Sequence, residues 1–307
     1  MQDTEIFIHI GYHKTGTTFL QHTFFPNLAM NQILFPNVTY LAESQNYEPQ
    51  QFVNLLVEQA KSTHHPKTII SQETLSGRGD GDSMWDAHLI GERLHTTFPN
   101  AKILMVVRNQ PDYILSLYTF RVIIRGLERR SLTDYLDAKF ERGLRQKLQY
   151  HYLVSHYRQL FGEKQVLVLP YELFVEAPKQ FINRLLHFFD LQTTFEPENR
   201  RVNIGSRNKH ILNAHRLINY PFGQSIDFLQ QYSLLSQQHY RRVTQAYFYI
   251  KRKAIQPILN SALAKGGQTI RYDKDWQETL VVAFRESNAT LSQLIDVDLK
   301  QYGYPSL

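Results

Sequence analysis

Gly11-Tyr12-His13-Lys14-Thr15-Gly16-Thr17-Thr18 places one lysine and three threonines between and around two glycines. Glycines let a backbone approach an anion closely, and successive N–H groups of such a loop converge on one point. A lysine there adds a movable charge, and hydroxyls add donors. The chemistry this suits is holding a phosphate or sulfate. Two groups elsewhere extend it. Arg108 offers a planar fork of the kind that grips a phosphate, and Ser116 offers a hydroxyl. Glu73 and His13 could each accept a proton.

The elements that would position these groups are legible as runs of apolar residues. Ile6-Phe7-Ile8-His9-Ile10 precedes the loop and reads as a buried strand; Phe19-Leu20-Gln21-His22-Thr23-Phe24-Phe25 follows it and reads as a helix start. Strands are expected at 5–10, 67–72, 102–107 and 165–170, with helices near 17–30, 50–61, 84–97, 111–125 and 147–161. Strands rich in Ile, Val and Leu that alternate with helices imply a parallel sheet covered on both faces. Ligands of such sheets bind beyond the carboxyl ends of the strands. The loop after Ile10, Glu73 after the second run and Arg108 after the third all fall there.

The loop keeps the glycine spacing of the triphosphate-binding pattern G-x-x-x-x-G-K-[ST], but Thr17 stands at the lysine position and Lys14 lies inside the loop. The run Ile103-Leu104-Met105-Val106-Val107 ends in Arg108, where a triphosphate site would place a metal-binding acid. Lys14-Thr15-Gly16-Thr17-Thr18 instead resembles the 5′-phosphosulfate loop of sulfotransferases that use 3′-phosphoadenosine 5′-phosphosulfate (PAPS). Arg108 through Ser116 resembles that family's 3′-phosphate motif, with Pro111 suited to a first helical turn. Val166-Leu167-Val168-Leu169-Pro170-Tyr171-Glu172-Leu173, with Pro178 and Leu185 to Leu191, resembles a later strand and helix unit of the family. The likeness covers roughly residues 5–205.

This resemblance implies an α/β, P-loop NTPase-like three-layer fold, with a central parallel sheet flanked by helices and a mostly helical C-terminal part. Residues 1–205 are expected to form the PAPS-binding core and 206–307 a helical extension packed on it. The implied activity moves a sulfonate group from PAPS to an acceptor hydroxyl by in-line displacement. Lys14, Thr15, Gly16, Thr17 and Thr18 would hold the donor's 5′ end, and Arg108 with Ser116 its 3′-phosphate. Arg207 is added from the stretch Arg200 to Arg207, loosely similar to the family's closing loop. Lys14 would also stabilise the leaving group. Glu73 matches the place of the base in carbohydrate-directed relatives, and His13 is the rival base. The acceptor would carry a hydroxyl, a carbohydrate or glycolipid for example, and no metal is required. The alternatives are a nucleotide kinase or NTPase with a degenerate loop, and a nucleotide-binding module without turnover.

Composition narrows the remaining classes. The 307 residues are 42% hydrophobic, enough for a core. There are no cysteines, so disulfides and thiolate chemistry are excluded. No apolar run reaches the ~18 residues of a membrane span, and no signal peptide is evident; a cytoplasmic enzyme is expected. The net charge of +6 suits anionic ligands, and nucleic-acid motifs are lacking. His64-His65 reads as solvated. Gly77 to Ser83 reads as a loop that could gate the acceptor or form a surface turn. Residues 121–147 hold eight basic against four acidic residues, a solvated face or the lining of an anionic cleft. Tyr247 to Ile255 mixes aromatic and basic residues, which fits ordinary packing or peripheral contact with a membrane.

Overall fold

The computed structural model describes residues 4–34, 39–59, 65–77, 85–126, 128–196, 207–231, 237–263 and 268–306. Five parallel strands form one sheet: β1 Glu5–Gly11, β2 Asn31–Leu34, β3 Lys67–Gln72, β4 Lys102–Val107 and β5 Val166–Pro170. Their order is β2-β3-β1-β4-β5. The central β1 pairs Ile8 with Ile70 of β3 on one side and with Ile103 of β4 on the other. The chain leaves β1 toward the β2 side of the sheet and leaves β4 toward β5, so a crevice opens between the carboxyl ends of β1 and β4. Helices cover the sheet, as expected for a parallel sheet buried on both faces.

Compact packing divides the chain into two units. One comprises Met1–Tyr113, Lys139–Val202 and Glu278–Leu307; the other comprises Ile114–Ala138 and Asn203–Gln277. The sheet and the C-terminal residues from Glu278 onward therefore belong together. In this unit Phe7, Phe24, Phe25, Phe181 and Phe189 are buried in one cluster, with the Phe7 and Phe189 rings edge to face at 5.0 Å. Each such side chain contributes roughly 1.5–3 kcal/mol by burial, which anchors β1 and the helical segment that follows it.

Two expectations need local correction. The helix expected over 17–30 is helical only over 17–27: an α turn at Thr17–Phe19, a π turn at Leu20–Phe24 and a 3-10 turn at Phe25–Asn27. Pro26 lies in that last turn, and Leu28 is already extended (φ −94, ψ 151). The chain then forms β2, which was not expected; it pairs only with β3, at the sheet edge.

The second unit is mostly helical where described, with an isolated antiparallel bridge between Asn208 and Thr269. It holds Lys209–Gln231, Gln237–Ile250, a π turn at Lys251–Ile255 and Gln256–Ala262. It buries a polar network among its apolar side chains. Lys251 is buried, and its ammonium donates to the Val122 carbonyl (2.6 Å) and to Asn219 Oδ1 (2.5 Å). Asn219 Nδ2 in turn donates to the Val122 and Glu128 carbonyls, both at 2.9 Å. Among the described residues no helix is long and apolar enough to cross a membrane.

Candidate active site

The loop after β1 is shaped by two left-handed residues, Lys14 (φ 67) and Gly16 (φ 84). A Cβ on Gly16 would lie 3.2 Å from the Tyr171 ring, and one on Gly11 would lie 2.9 Å from Thr17 Oγ1. A side chain at Gly11 would force Thr17 to shift, and one at Gly16 would add crowding to a strained positive φ, so the backbone forms a tight cradle. Thr15 Oγ1 closes the loop by donating to the Tyr12 carbonyl at 2.5 Å. Tyr12 and Thr15 are buried, whereas Thr18 is exposed.

Under the loop lies a polar support within β1. His9 is fully buried, and burial drives its pKa down to about 3, so the imidazole is neutral. Its Nδ1 pairs with Ser71 Oγ at 2.8 Å, and Gln21 Nε2 donates to the same hydroxyl at 3.0 Å.

β3 delivers Glu73 to the loop. Glu73–Ser76 is a 3-10 turn directly after the strand. Ser76 Oγ donates to the Gly11 carbonyl at 2.9 Å and to the Glu73 carbonyl at 3.1 Å, which pins the turn against the end of β1. The Glu73 carboxylate lies 3.3 Å from His13 Nδ1. Burial raises its pKa, while Thr17 and Lys14 act in the opposite sense. Burial likewise lowers the pKa of Lys14; Glu73 opposes this and Arg108 adds to it. Lys14, Glu73 and His13 thus form one electrostatic group.

β4 delivers Arg108. Its Nη1 donates to the Lys14 carbonyl at 2.8 Å, and the guanidinium lies over the Tyr171 ring at 4.8 Å. Arg108 Nε is buried without a hydrogen-bond partner. Behind it, Tyr150 donates its hydroxyl to the Arg108 carbonyl (2.7 Å) and packs edge-on against Tyr12 (4.8 Å). The next helix, Gln110–Phe120, is capped by Asn109, whose Oδ1 accepts from Asp112 N at 3.0 Å. Ser116 lies on this helix, half-buried.

The loop and the ends of β3 and β4 therefore meet at one place, with Lys14 and Arg108 joined by a hydrogen bond. The glycine loop, two cations and an orphaned guanidinium N–H could hold an anion; a partly buried carboxylate beside them could take a proton. Arg207 lies in the helical unit, where its carbonyl accepts from Ile270 N at 2.8 Å. Arg200 to Ser206 and residues 78–83 of the glycine-rich loop lie outside the described residues, as does His64. Within the basic stretch 121–147, Lys147 is not solvated: it is buried and donates to the Gly77 carbonyl at 3.1 Å.

One part of the site was not anticipated. Glu172, just after β5, accepts from Asn109 N and from the Tyr304 hydroxyl, both at 3.1 Å. Asn109 Nδ2 donates to the carbonyls of Tyr302 and Gly303. Burial raises the Glu172 pKa to about 7, against the influence of Arg108 and these hydrogen bonds. Its position at a strand's carboxyl end was a usable signal; nothing in the sequence pointed to Tyr304.

A parallel sheet ordered 2-3-1-4-5, with a glycine cradle after the central strand, defines a P-loop-like α/β fold. The family follows from sequence: residues 3–209 match the model of the sulfotransferase domain, and the chain belongs to that family. Its fold is similar to that of a sulfotransferase from Alicyclobacillus acidocaldarius, at 15% identity over 98% of each chain and a TM-score of 0.61. Two further solved structures align more loosely. A mouse sulfotransferase complexed with PAP shares 16% identity over 63% of this chain and 60% of its own, with a TM-score of 0.40. The sulfotransferase domain from the curacin biosynthetic pathway shares 14% over 63% and 75%, with a TM-score of 0.35. No curated protein matches the sequence.

Proposed function

We propose that this sulfotransferase transfers the sulfonate of PAPS to an acceptor hydroxyl. The observation that carries the reading is the union of the two cationic motifs: Arg108 Nη1 bonds the Lys14 carbonyl, although the two residues lie far apart in sequence. A donor with phosphates at both its 5′ and 3′ positions calls for two such motifs side by side. The residues fit it: a Cβ would crowd the cradle at Gly11 and Gly16, and Arg108 Nε has no hydrogen-bond partner.

In this reading the loop from Thr15 to Thr18 and Lys14 bind the donor's 5′-phosphosulfate. Arg108 and Ser116 bind the 3′-phosphate, and Arg207 is assigned to the nucleotide as well. Glu73 takes the acceptor's proton while the acceptor oxygen bonds to sulfur. The S–O bond to the 5′-phosphate breaks, and Lys14 stabilises the charge that grows on the departing oxygen. His13, paired with Glu73 at 3.3 Å, orients the carboxylate. An aliphatic hydroxyl on a carbohydrate or glycolipid is the assigned acceptor class, because a carboxylate base suits a hydroxyl held beside it.

Thermal-shift measurement tests the donor. The desulfo product 3′-phosphoadenosine 5′-phosphate, PAP, should raise the melting temperature without added metal, since it binds only the native state. ATP with Mg²⁺ should do much less. Equal or greater stabilisation by Mg²⁺-ATP would replace this reading with a nucleotide kinase; PAP binding without turnover across an acceptor screen would replace it with a binding module.

A further inference from the structure

Residues 228–272 contain no Asp or Glu and seven Lys or Arg. Most of this stretch folds into the helices Gln237–Ile250 and Gln256–Ala262, joined by the π turn Lys251–Ile255. One side is anchored inward. Lys251 is buried on the Val122 carbonyl and Asn219, and the Tyr247 hydroxyl donates to Asn219 Oδ1 at 3.1 Å. The opposite side presents Arg242, Ala246, Tyr249, Ile250 and Lys253, all exposed and spaced as one helical stripe. Tyr249 is 66% exposed and Ile250 55%.

We propose that this stripe is a docking surface for a membrane leaflet rich in anionic lipid. Charge complementarity selects the occupant. A second copy of the chain would bring the same acid-free face against itself, and like charges would oppose it. A soluble polyanion would be served by cations alone and would leave Ile250 and Tyr249 in water. A bilayer interface accepts both: the tyrosine and isoleucine enter the headgroup boundary while Arg242, Arg252 and Lys253 meet lipid phosphates.

The test is co-sedimentation of the full chain with phosphatidylcholine vesicles, with and without phosphatidylglycerol. Binding is expected only with the anionic lipid and should weaken as salt rises. Arg252→Glu with Lys253→Glu should lower partitioning at least ~10-fold, because each basic residue near such a surface contributes about fivefold. Tyr249→Ser with Ile250→Ser should also lower it, at low salt, through loss of apolar burial. All these side chains are exposed, so melting temperature and PAP stabilisation should stay as in the wild type, which separates this proposal from the sulfotransferase chemistry. Equal binding to both vesicle types would overturn it. So would variants that bind like the wild type, heparin binding that survives Tyr249→Ser with Ile250→Ser while vesicle binding is absent, or a dimer in solution that Ile250→Ser dissolves.

Discussion

Replacing Glu73 by Gln tests the proposed chemistry most directly. The change keeps side-chain length and spares the turn, because Ser76 binds the backbone carbonyls of Gly11 and Glu73 rather than the carboxylate. It removes one proton acceptor and one negative charge. Loss of a general base lowers rate about 10²–10⁴-fold, or roughly 3–5.5 kcal/mol of barrier. The lost charge has a second effect. Burial lowers the pKa of Lys14, Glu73 opposes that, and Arg108 reinforces it. Without Glu73 the opposing influence is gone, so the lysine should lose its proton at lower pH in the variant. The alkaline limb of the rate profile should therefore move to lower pH. His13→Ala removes the carboxylate's partner but leaves the base, and should cost about 10-fold, near the lower end for a charged hydrogen bond. The assay is single-turnover transfer at saturating donor across the neutral and alkaline range, once an acceptor is found. Thermal melts should show Glu73→Gln at least as stable as the wild type, since burial raises the carboxyl's pKa and a neutral amide avoids that cost. Near wild-type transfer by Glu73→Gln, with His13→Ala inactive, would refute the assignment and place the base at His13. An unmoved alkaline limb would refute the coupling to Lys14.

Arg108→Ala should weaken PAP by roughly 1.5–3 kcal/mol, the worth of a charged hydrogen bond; calorimetry with a ligand lacking the 3′-phosphate should find wild type and variant nearly equal. Gly16→Ala forces a Cβ to 3.2 Å from Tyr171 at φ 84, a strain of about 1–2 kcal/mol, and should lower both melting temperature and PAP affinity; an unchanged affinity would remove the loop from the donor site. Glu172 has its pKa raised from 4.5 to about 7, so the stability it contributes is full below pH 4.5 and is lost as pH rises through 7. Glu172→Gln should flatten the fall in stability across that window, by an amount on the order of 3 kcal/mol, in denaturant titrations at its two ends; an unaltered slope would show that the carboxyl is not buried in its neutral form.

The parts of the fold that were legible are those written in contiguous residues. β1, β3, β4 and β5 are short apolar runs, and a run buried on both faces needs no partner to be recognised. β2 is Asn31-Gln32-Ile33-Leu34 at the sheet edge; two amides and a four-residue length gave neither an apolar run nor a clear alternation. The placement of Lys14, Glu73 and Arg108 was legible because Glu73 and Arg108 directly follow strands and Lys14 lies in the loop after one, and parallel strands put all such residues at one end. Glu172 follows a strand too, but its role emerges only with Tyr304, 132 residues away in sequence. Lys147 illustrates the reverse error. A basic stretch suggests solvated charges, yet this lysine is buried against the Gly77 carbonyl, because that carbonyl needs a donor and the long side chain can reach it.

The same contacts explain why the site holds two cations together before any anion arrives. Arg108 depresses the protonation of Lys14, so the pair repel. The fold holds Arg108 in place from three sides: Tyr171 beneath the guanidinium, Tyr150 on its carbonyl, and Glu172 nearby, fixed by Asn109 and Tyr304. Tyr150 and Tyr304 are buried, and their pKa values are raised by that burial, so they serve as neutral braces. Glu172, with its pKa near 7, only partly compensates the arginine at neutral pH. Positive charge therefore remains in a partly desolvated setting, where interactions are stronger than in water. In the proposed reading, a donor with two separated phosphate groups would relieve the repulsion at both cations. Its binding energy would be available because the scaffold has already brought the cations together, leaving little reorganisation for the moment of reaction.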